Sequence, residues 1–302
     1  MEIINILVNP ILPVFAIMAL GFVLGRTDFT TVEDARVVNR FAMTVLLPIL
    51  GFDLIANAPV YSFVFTPLLI YAVGQILVFL LGFLLANKLL AIDREQSLLL
   101  AFSGVFANNV LYVLPLSAIL YGDDKILPIT SIITWDASIA FGAAIIALQL
   151  IKLGRVSPGK VITTLAKNPL LIAITTGLVF VISGIGIPAP IQTFLDFNSA
   201  AAAPVALFSL GVVLSKTRFR IDLAVTTFTL IKLVVFPFVV WIGFEFLAPG
   251  EPSRGQFLLG SAGPSGAMAF TLAFLYGVRT DAIAQVIVIT GVVTLLSLAL
   301  LA

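Results

Sequence analysis

Two stretches decide how this chain folds. One is Ser103-Gly104-Val105-Phe106-Ala107-Asn108-Asn109-Val110-Leu111-Tyr112-Val113-Leu114-Pro115; the other is Gly260-Ser261-Ala262-Gly263-Pro264-Ser265-Gly266-Ala267-Met268. Each is a polar, helix-weakening interruption inside an otherwise apolar run. Pro115 and Pro264 each lack an N–H and clash with the preceding turn, and the glycines flanking Pro264 lower helix stability further. An asparagine amide in lipid costs several kcal/mol if unpaired. Such polarity is tolerated where unwound backbone lines a cavity or faces protein. Close helix packing through Gly, Ser and Asn is the alternative for any single residue. Two interruptions at equivalent places favour a functional reading.

Outward from these stretches the chain is lipid-like. Of 302 residues 61% are hydrophobic and 10% charged, and the mean hydropathy is +1.19. A soluble domain carries about 25% charged residues and could not bury this much apolar surface in one core. The composition implies an all-α integral membrane protein and argues against a soluble enzyme, a nucleic-acid binder and a disordered scaffold. The net charge of +1 offers no attraction to polyanions. Cysteine and histidine are both absent, removing the thiolate nucleophile and the usual neutral-pH proton acceptor.

A bilayer core needs about 20 apolar residues per helix. Ten spans are expected, at roughly 4–25, 35–56, 63–87, 97–121, 127–151, 168–187, 199–216, 223–247, 256–277 and 281–302. Glu2 and the length of the first run do not fit a cleaved signal. With the N-terminus outside, 13 of the 16 lysines and arginines fall in inner loops. Only Lys125 and Arg254 fall outside, and Lys232 lies within a span. The positive-inside rule then places both termini on the outer side.

The two halves resemble each other. Asn9-Pro10-Ile11-Leu12 matches Asn168-Pro169-Leu170-Leu171 at an offset of 159. Pro48, Phe52 and Leu54 match Pro204, Phe208 and Leu210 at 156, and Tyr121-Gly122 matches Tyr276-Gly277 at 155. Residues 1–152 form one five-helix repeat, 153–167 a cytoplasmic connecting loop and 168–302 the second repeat. Because five is odd, the second repeat enters the membrane inverted, a transporter architecture with its site where broken helices meet. Spans four and nine are the expected broken helices.

These features together resemble a bacterial member of the auxin efflux carrier family, within the wider group that includes the bile-acid–sodium symporters. The resemblance runs through Val38-Asn39-Arg40-Phe41, Leu47-Pro48, Lys167-Asn168-Pro169-Leu170 and Ala203-Pro204-Val205-Ala206-Leu207-Phe208-Ser209-Leu210-Gly211. It continues in Lys232-Leu233-Val234-Val235-Phe236-Pro237 and Gly263-Pro264-Ser265-Gly266. It implies a scaffold part (spans 1–2 and 6–7), a transport part (spans 3–5 and 8–10) whose fourth and ninth helices unwind and cross, and a homodimer. The family's Asn-x6-Pro falls on Asn108 and Pro115, and the second crossing on Pro264 to Met268. The long polar loop of plant auxin carriers is reduced here to a short basic one, and Ala269 stands where a further proline is common. Auxin is therefore a poor substrate guess. The resemblance points instead to small carboxylates such as malonate or malate in a bacterial inner membrane.

The expected substrate-binding residues are Asn108, Asn109, Pro115, Gly263, Pro264, Ser265, Gly266 and Met268. Half-helix N-termini suit an anion without a dedicated arginine, and exposed carbonyls suit a sodium ion near Asn108 and Ser265. Asp136, Lys232 and Ser103 are expected in coupling or charge compensation. Asp136 takes up a proton, joins a cation site or pairs with Lys232; Lys232 neutralises substrate, tethers Asp136 or snorkels. Asp53 and Glu245, near outer span ends, are expected to be solvated by the interface. No cofactor is expected beyond a coupling ion, sodium or proton. Asp123-Asp124 resembles half of a prenyl-transfer signature without its second acidic motif, and reads more simply as a solvated turn. Without a nucleophile–base constellation or a P-loop, an enzyme is disfavoured. The expected function is a secondary active carrier of a small organic anion by alternating access. A channel or a non-transporting receptor on the same scaffold is the alternative.

Overall fold

The structure, a computed structural model, describes residues 2–122, 125–154, 158–217 and 219–301. The side chains of 2–11, 14, 160 and 295–301 are excepted, so Asp123-Asp124 and the Asn9-Pro10 side chains lie outside the described residues. Thirteen helices, besides a 3₁₀ turn at Val60–Ser62, follow one another among the described residues. They are α1 (Glu2–Arg26), α2 (Val32–Ala56), α3 (Phe65–Leu89), α4 (Arg94–Val105), α5 (Asn109–Tyr121), α6 (Leu127–Leu153) and α7 (Pro158–Ala166). There follow α8 (Pro169–Ser183), α9 (Ala189–Lys216), α10 (Leu223–Leu247), α11 (Arg254–Ala262), α12 (Met268–Tyr276) and α13 (Asp281–Leu301). Five of these (α2, α3, α6, α9 and α10) are long and apolar enough to cross a membrane.

Sequence chemistry sets several boundaries. Thr31 opens α2 with a capping box shared with Asp34, and Asp93 and Asp222 cap α4 and α10 through Gln96 and Val225 N–H groups. Asn168 caps α8 ahead of Pro169, whose missing N–H costs nothing at a first turn. Inside α2, α5 and α10 the helix widens to a π-helical turn, at Ala42–Leu46, Asn109–Val113 and Ile231–Val235. A proline follows two residues later each time: Pro48, Pro115 and Pro237. The ring clashes with the carbonyl four residues back, and the extra residue in the turn relieves that clash. Pro204 instead sits inside an uninterrupted α9.

Three expectations are corrected here. Within the connector 153–167, expected as a loop, the described residues hold α7, which opens at Pro158. The seventh span starts ten residues early, at Ala189 rather than 199. Its added turns are polar because they bond to α2: Gln192 Nε2 and Ser199 Oγ donate to Asp53 at 3.0 and 2.9 Å, and Asn57 Nδ2 donates at 2.8 Å. Asp53 is thus held by three donors rather than left to the interface. Glu245 pairs with Arg254 at 2.8 Å across the α10–α11 turn while keeping a half-exposed side chain.

The helices pack as two groups. In one, α1 lies along α9, and α2 packs on α8 and α9. In the other, α3, α4, α6 and α10–α13 surround one another. The first group is built on bare backbone. A Cβ on Gly211 would fall 2.0 Å from the Met18 carbonyl oxygen, and one on Gly21 2.2 Å from that of Phe208. Small residues permit this approach, where dispersion replaces the missing hydrophobic drive between helices in lipid. Beyond the helix, Asp28 pairs with Lys216 at 2.6 Å, and that ammonium holds the Asp28 carboxyl below the usual carboxylate range.

Gly211→Ala is expected to push α1 from α9 and cost about 1–3 kcal/mol, the usual scale of overpacking. The readout is a lowered Tm of the detergent-solubilised protein. Gly186→Ala, where a Cβ meets nothing within 4 Å, is expected to leave Tm unchanged.

Candidate functional site

The chain is broken where the sequence is most polar. α4 ends at Val105 and α5 begins at Asn109; α11 ends at Ala262 and α12 begins at Met268. The two extended segments pair antiparallel through Ala107 and Ser265. Asn108 N donates to the Pro264 carbonyl at 2.8 Å and Gly266 N to the Phe106 carbonyl at 2.9 Å. Each break thus meets part of the other's hydrogen-bonding need, which is what permits non-helical backbone inside a buried core. Gly266 is required here: a Cβ would meet the Ala107 carbonyl at 3.1 Å and the Phe106 ring at 2.9 Å.

Side chains complete the crossing. Ser265 donates through Oγ to the Ser103 carbonyl at 2.7 Å, and its N–H reaches Thr290 Oγ1 at 3.1 Å. Asn108 accepts from Leu111 N at 3.4 Å, capping α5. Asn109, almost fully buried, donates through Nδ2 to Asp136 Oδ2 at 2.8 Å, while its own Oδ1 has no hydrogen-bond partner. Gln75 of α3 donates to Asp136 Oδ1 at 2.7 Å and to the Val105 carbonyl at 3.3 Å, and accepts from Trp135 Nε1 at 2.7 Å. Asp136, in a π-helical turn of α6, therefore has both oxygens spoken for by amides. Lys232 is fully buried and donates to the Ser261 carbonyl at 2.7 Å. It forms no ion pair with Asp136 within 4.0 Å, so the direct pairing considered from the sequence is absent.

A cavity of about 240 Å³ lies between the crossing and the first helix group. Asn108, Asn109, Asp136, Gly266, Ala267 and Met268 form one wall. Leu47, Leu50, Gly51 and Leu54 of α2, with Ser199, Ala200, Ala203, Ala206 and Leu207 of α9, form the other. Of the sequence-predicted residues, Asn108, Asn109, Gly266, Met268 and Asp136 meet at this cavity. Pro115, Gly263, Pro264, Ser265, Ser103 and Lys232 do not line it. Pro115 follows the π-helical turn of α5; Gly263 packs on Val113; Pro264, Ser265 and Ser103 hold the crossing together from behind. Gln75 escaped the sequence reading, although a lone amide in an apolar span carries the same cost that drew attention to Asn108. The α2 and α9 wall carried little chemical signal, being made of leucine, alanine and glycine apart from Ser199.

The N-terminal ends of α5 and α12 both reach this cavity, through Asn109–Leu111 and Ala267–Met268. Their first N–H groups have no intrahelical acceptor, and each end carries about half a positive charge. The arrangement can hold an anion by backbone while a small, mostly apolar wall excludes water. The same donors cannot supply a nucleophile or a general base.

The chain is similar to proteins named as transporters along most of its length. The chain is 26% identical over 302 residues to a Rhizobium meliloti (strain 1021) protein named "Putative malonate transporter", covering 96% of this chain and 92% of that one. It is 22% identical over 274 residues to "Uncharacterized transporter YfdV" of Escherichia coli (strain K12), covering 85% of each. The model of the family described as "Membrane transport protein" matches twice, over residues 6–153 and 153–302. A multi-pass chain built of two repeats, joined by paired helix breaks, thus belongs to the Membrane transport protein family, that of the auxin efflux carriers.

Proposed function

We propose that this protein is a secondary active carrier that moves a small organic anion by alternating access. The observation that carries the reading is the convergence of two half-helix N-termini on one cavity whose lining contains no lysine or arginine. An anion placed there is held by backbone N–H groups and by the Asn108 amide, which position charge without desolvating a full cation. Malonate is the first substrate to test, from the relative's name; malate is the second.

Ten passages follow if α4 with α5, and α11 with α12, each count as one, leaving α7 outside the bilayer. An odd number per repeat requires the second to be inverted. The lysine and arginine distribution then puts both termini outside a bacterial inner membrane. In this reading α1, α2, α8 and α9 form the scaffold, which also provides the homodimer contact, and the remaining spans rock against it. Two of the contacts across the seam between them come from α2. Asn39 of α2 donates to the Thr271 carbonyl of α12 at 3.2 Å, and Arg36 lies over the Phe274 ring at 5.5 Å. Asp136 couples the driving ion to the cavity, because it touches the substrate space and is tied by Gln75 to the end of α4. The family and the named relatives are transporters, which supports a carrier over an enzyme.

In proteoliposomes the expected behaviour is saturable malonate uptake with counterflow on preloading; large ohmic conductance, or binding without flux, overturns the reading. Ala203→Phe fills the cavity from α9 and is expected to lower uptake at least tenfold while Tm stays within a few degrees. Asp136→Asn turns one acceptor oxygen into a donor facing Gln75 or Asn109, at a stability cost of about 1–3 kcal/mol. It is expected to abolish ion-driven accumulation while leaving exchange measurable. Unchanged accumulation removes Asp136 from coupling.

A further inference from the structure

Lys232 is a fully buried charge that the cavity does not use. Its ammonium is fully buried, donates to the Ser261 carbonyl at 2.7 Å and lies 5.0 Å from the Phe236 ring centroid. Among the described residues no carboxylate lies within 4.0 Å of it. An ammonium withdrawn from water costs several kcal/mol unless it is compensated, so its environment must be one that attracts cations. Ser261 is the second-last residue of α11. Because α11 stops inside the protein, its last carbonyls lack helical donors, and its end carries about half a negative charge. A carbonyl at a helix C-terminus and an aromatic face are both cation ligands.

The first repeat has the counterpart. Val105 ends α4, and its carbonyl accepts from Gln75 at 3.3 Å. Gln75 and Lys232 stand 157 residues apart, and Val105 and Ser261 stand 156 apart, within the offsets that relate the two halves. The same position in each repeat therefore sends a side-chain donor to the end of the broken helix. In one repeat the donor is a neutral amide. In the other it is a full positive charge.

We infer that the C-terminal end of α11 is a monovalent-cation site whose occupant is the tethered ammonium of Lys232. The side chain does there what a free alkali-metal or small ammonium ion would do. It satisfies the end of α11, and so holds the crossing in place without drawing an ion from solution. At this site the wild type should gain nothing from the monovalent cation present, and removal of the side chain should create that dependence.

The test needs no substrate, so it stands apart from the carrier reading. Wild type, Lys232→Ala and Lys232→Ser are purified and melted in detergent in sodium chloride, methylammonium chloride or choline chloride at equal ionic strength. Choline is too large for the vacated space. The expected result is a wild-type Tm equal in methylammonium and choline, with any gain in sodium smaller than the variants'. Each variant is expected to melt several degrees lower in choline and to recover at least half the loss, saturably, in sodium or methylammonium. If a variant cannot be recovered folded in choline but can in a small cation, the inference is supported. Equal behaviour of the variants in all three salts overturns it, whether equally stable or equally unrecoverable. So does a wild type that gains as much from sodium as the variants do.

Discussion

Two backbone hydrogen bonds, Asn108 to Pro264 and Gly266 to Phe106, are the constraint on which the rest depends. A helix cannot stop inside an apolar core unless the groups it releases find partners, and each unmet group costs several kcal/mol. Stopping two helices at the same depth lets each provide acceptors for the other. Only a glycine leaves room for the approach at Gly266. The pairing fixes where α5 and α12 begin, and hence where their positive ends point.

The remaining needs of the crossing are met by side chains from the helices behind it, and these account for most of the polar residues buried there. Gln75 and Lys232 reach the two carbonyl ends, Ser265 and Thr290 serve the second break, and Asn109 turns to Asp136. Tyr71, fully buried, packs its ring against Phe236 and Phe257 at 5.5 and 6.1 Å between centroids, joining α3, α10 and α11. The polar residues thus divide into those that hold the crossing and those that face the cavity. Asn109 and Asp136 belong to both sets: they line the cavity and bond to each other within the frame.

The cavity wall opposite the crossing obeys a different rule. α2 and α9 contribute leucine, alanine and glycine, whose role is shape. The run Ser199-Ala200-Ala201-Ala202-Ala203 keeps α9 slim beside the crossing. Farther along, Gly211 presses that helix onto α1. A group with a smooth face, set against a group containing the breaks, is the arrangement that the proposed carrier uses for relative movement.

Composition and local chemistry were enough to identify a membrane-embedded, all-helical chain of two related halves, because an excess of apolar residues and the cost of proline, glycine and asparagine in lipid act wherever those residues fall. They also located both breaks, at Asn108 and around Pro264. The early start of α9 was hidden, because Gln192 and Asp196 look like loop residues until Asp53 is seen beside them. What only the tertiary structure decided is which polar group meets which. Lys232 turns to a helix end rather than to Asp136, and Gln75 joins the site from a span that looked featureless. Hydrogen bonds and charge pairs depend on distances of a few ångströms between residues far apart in sequence, and no periodicity along one helix contains that information.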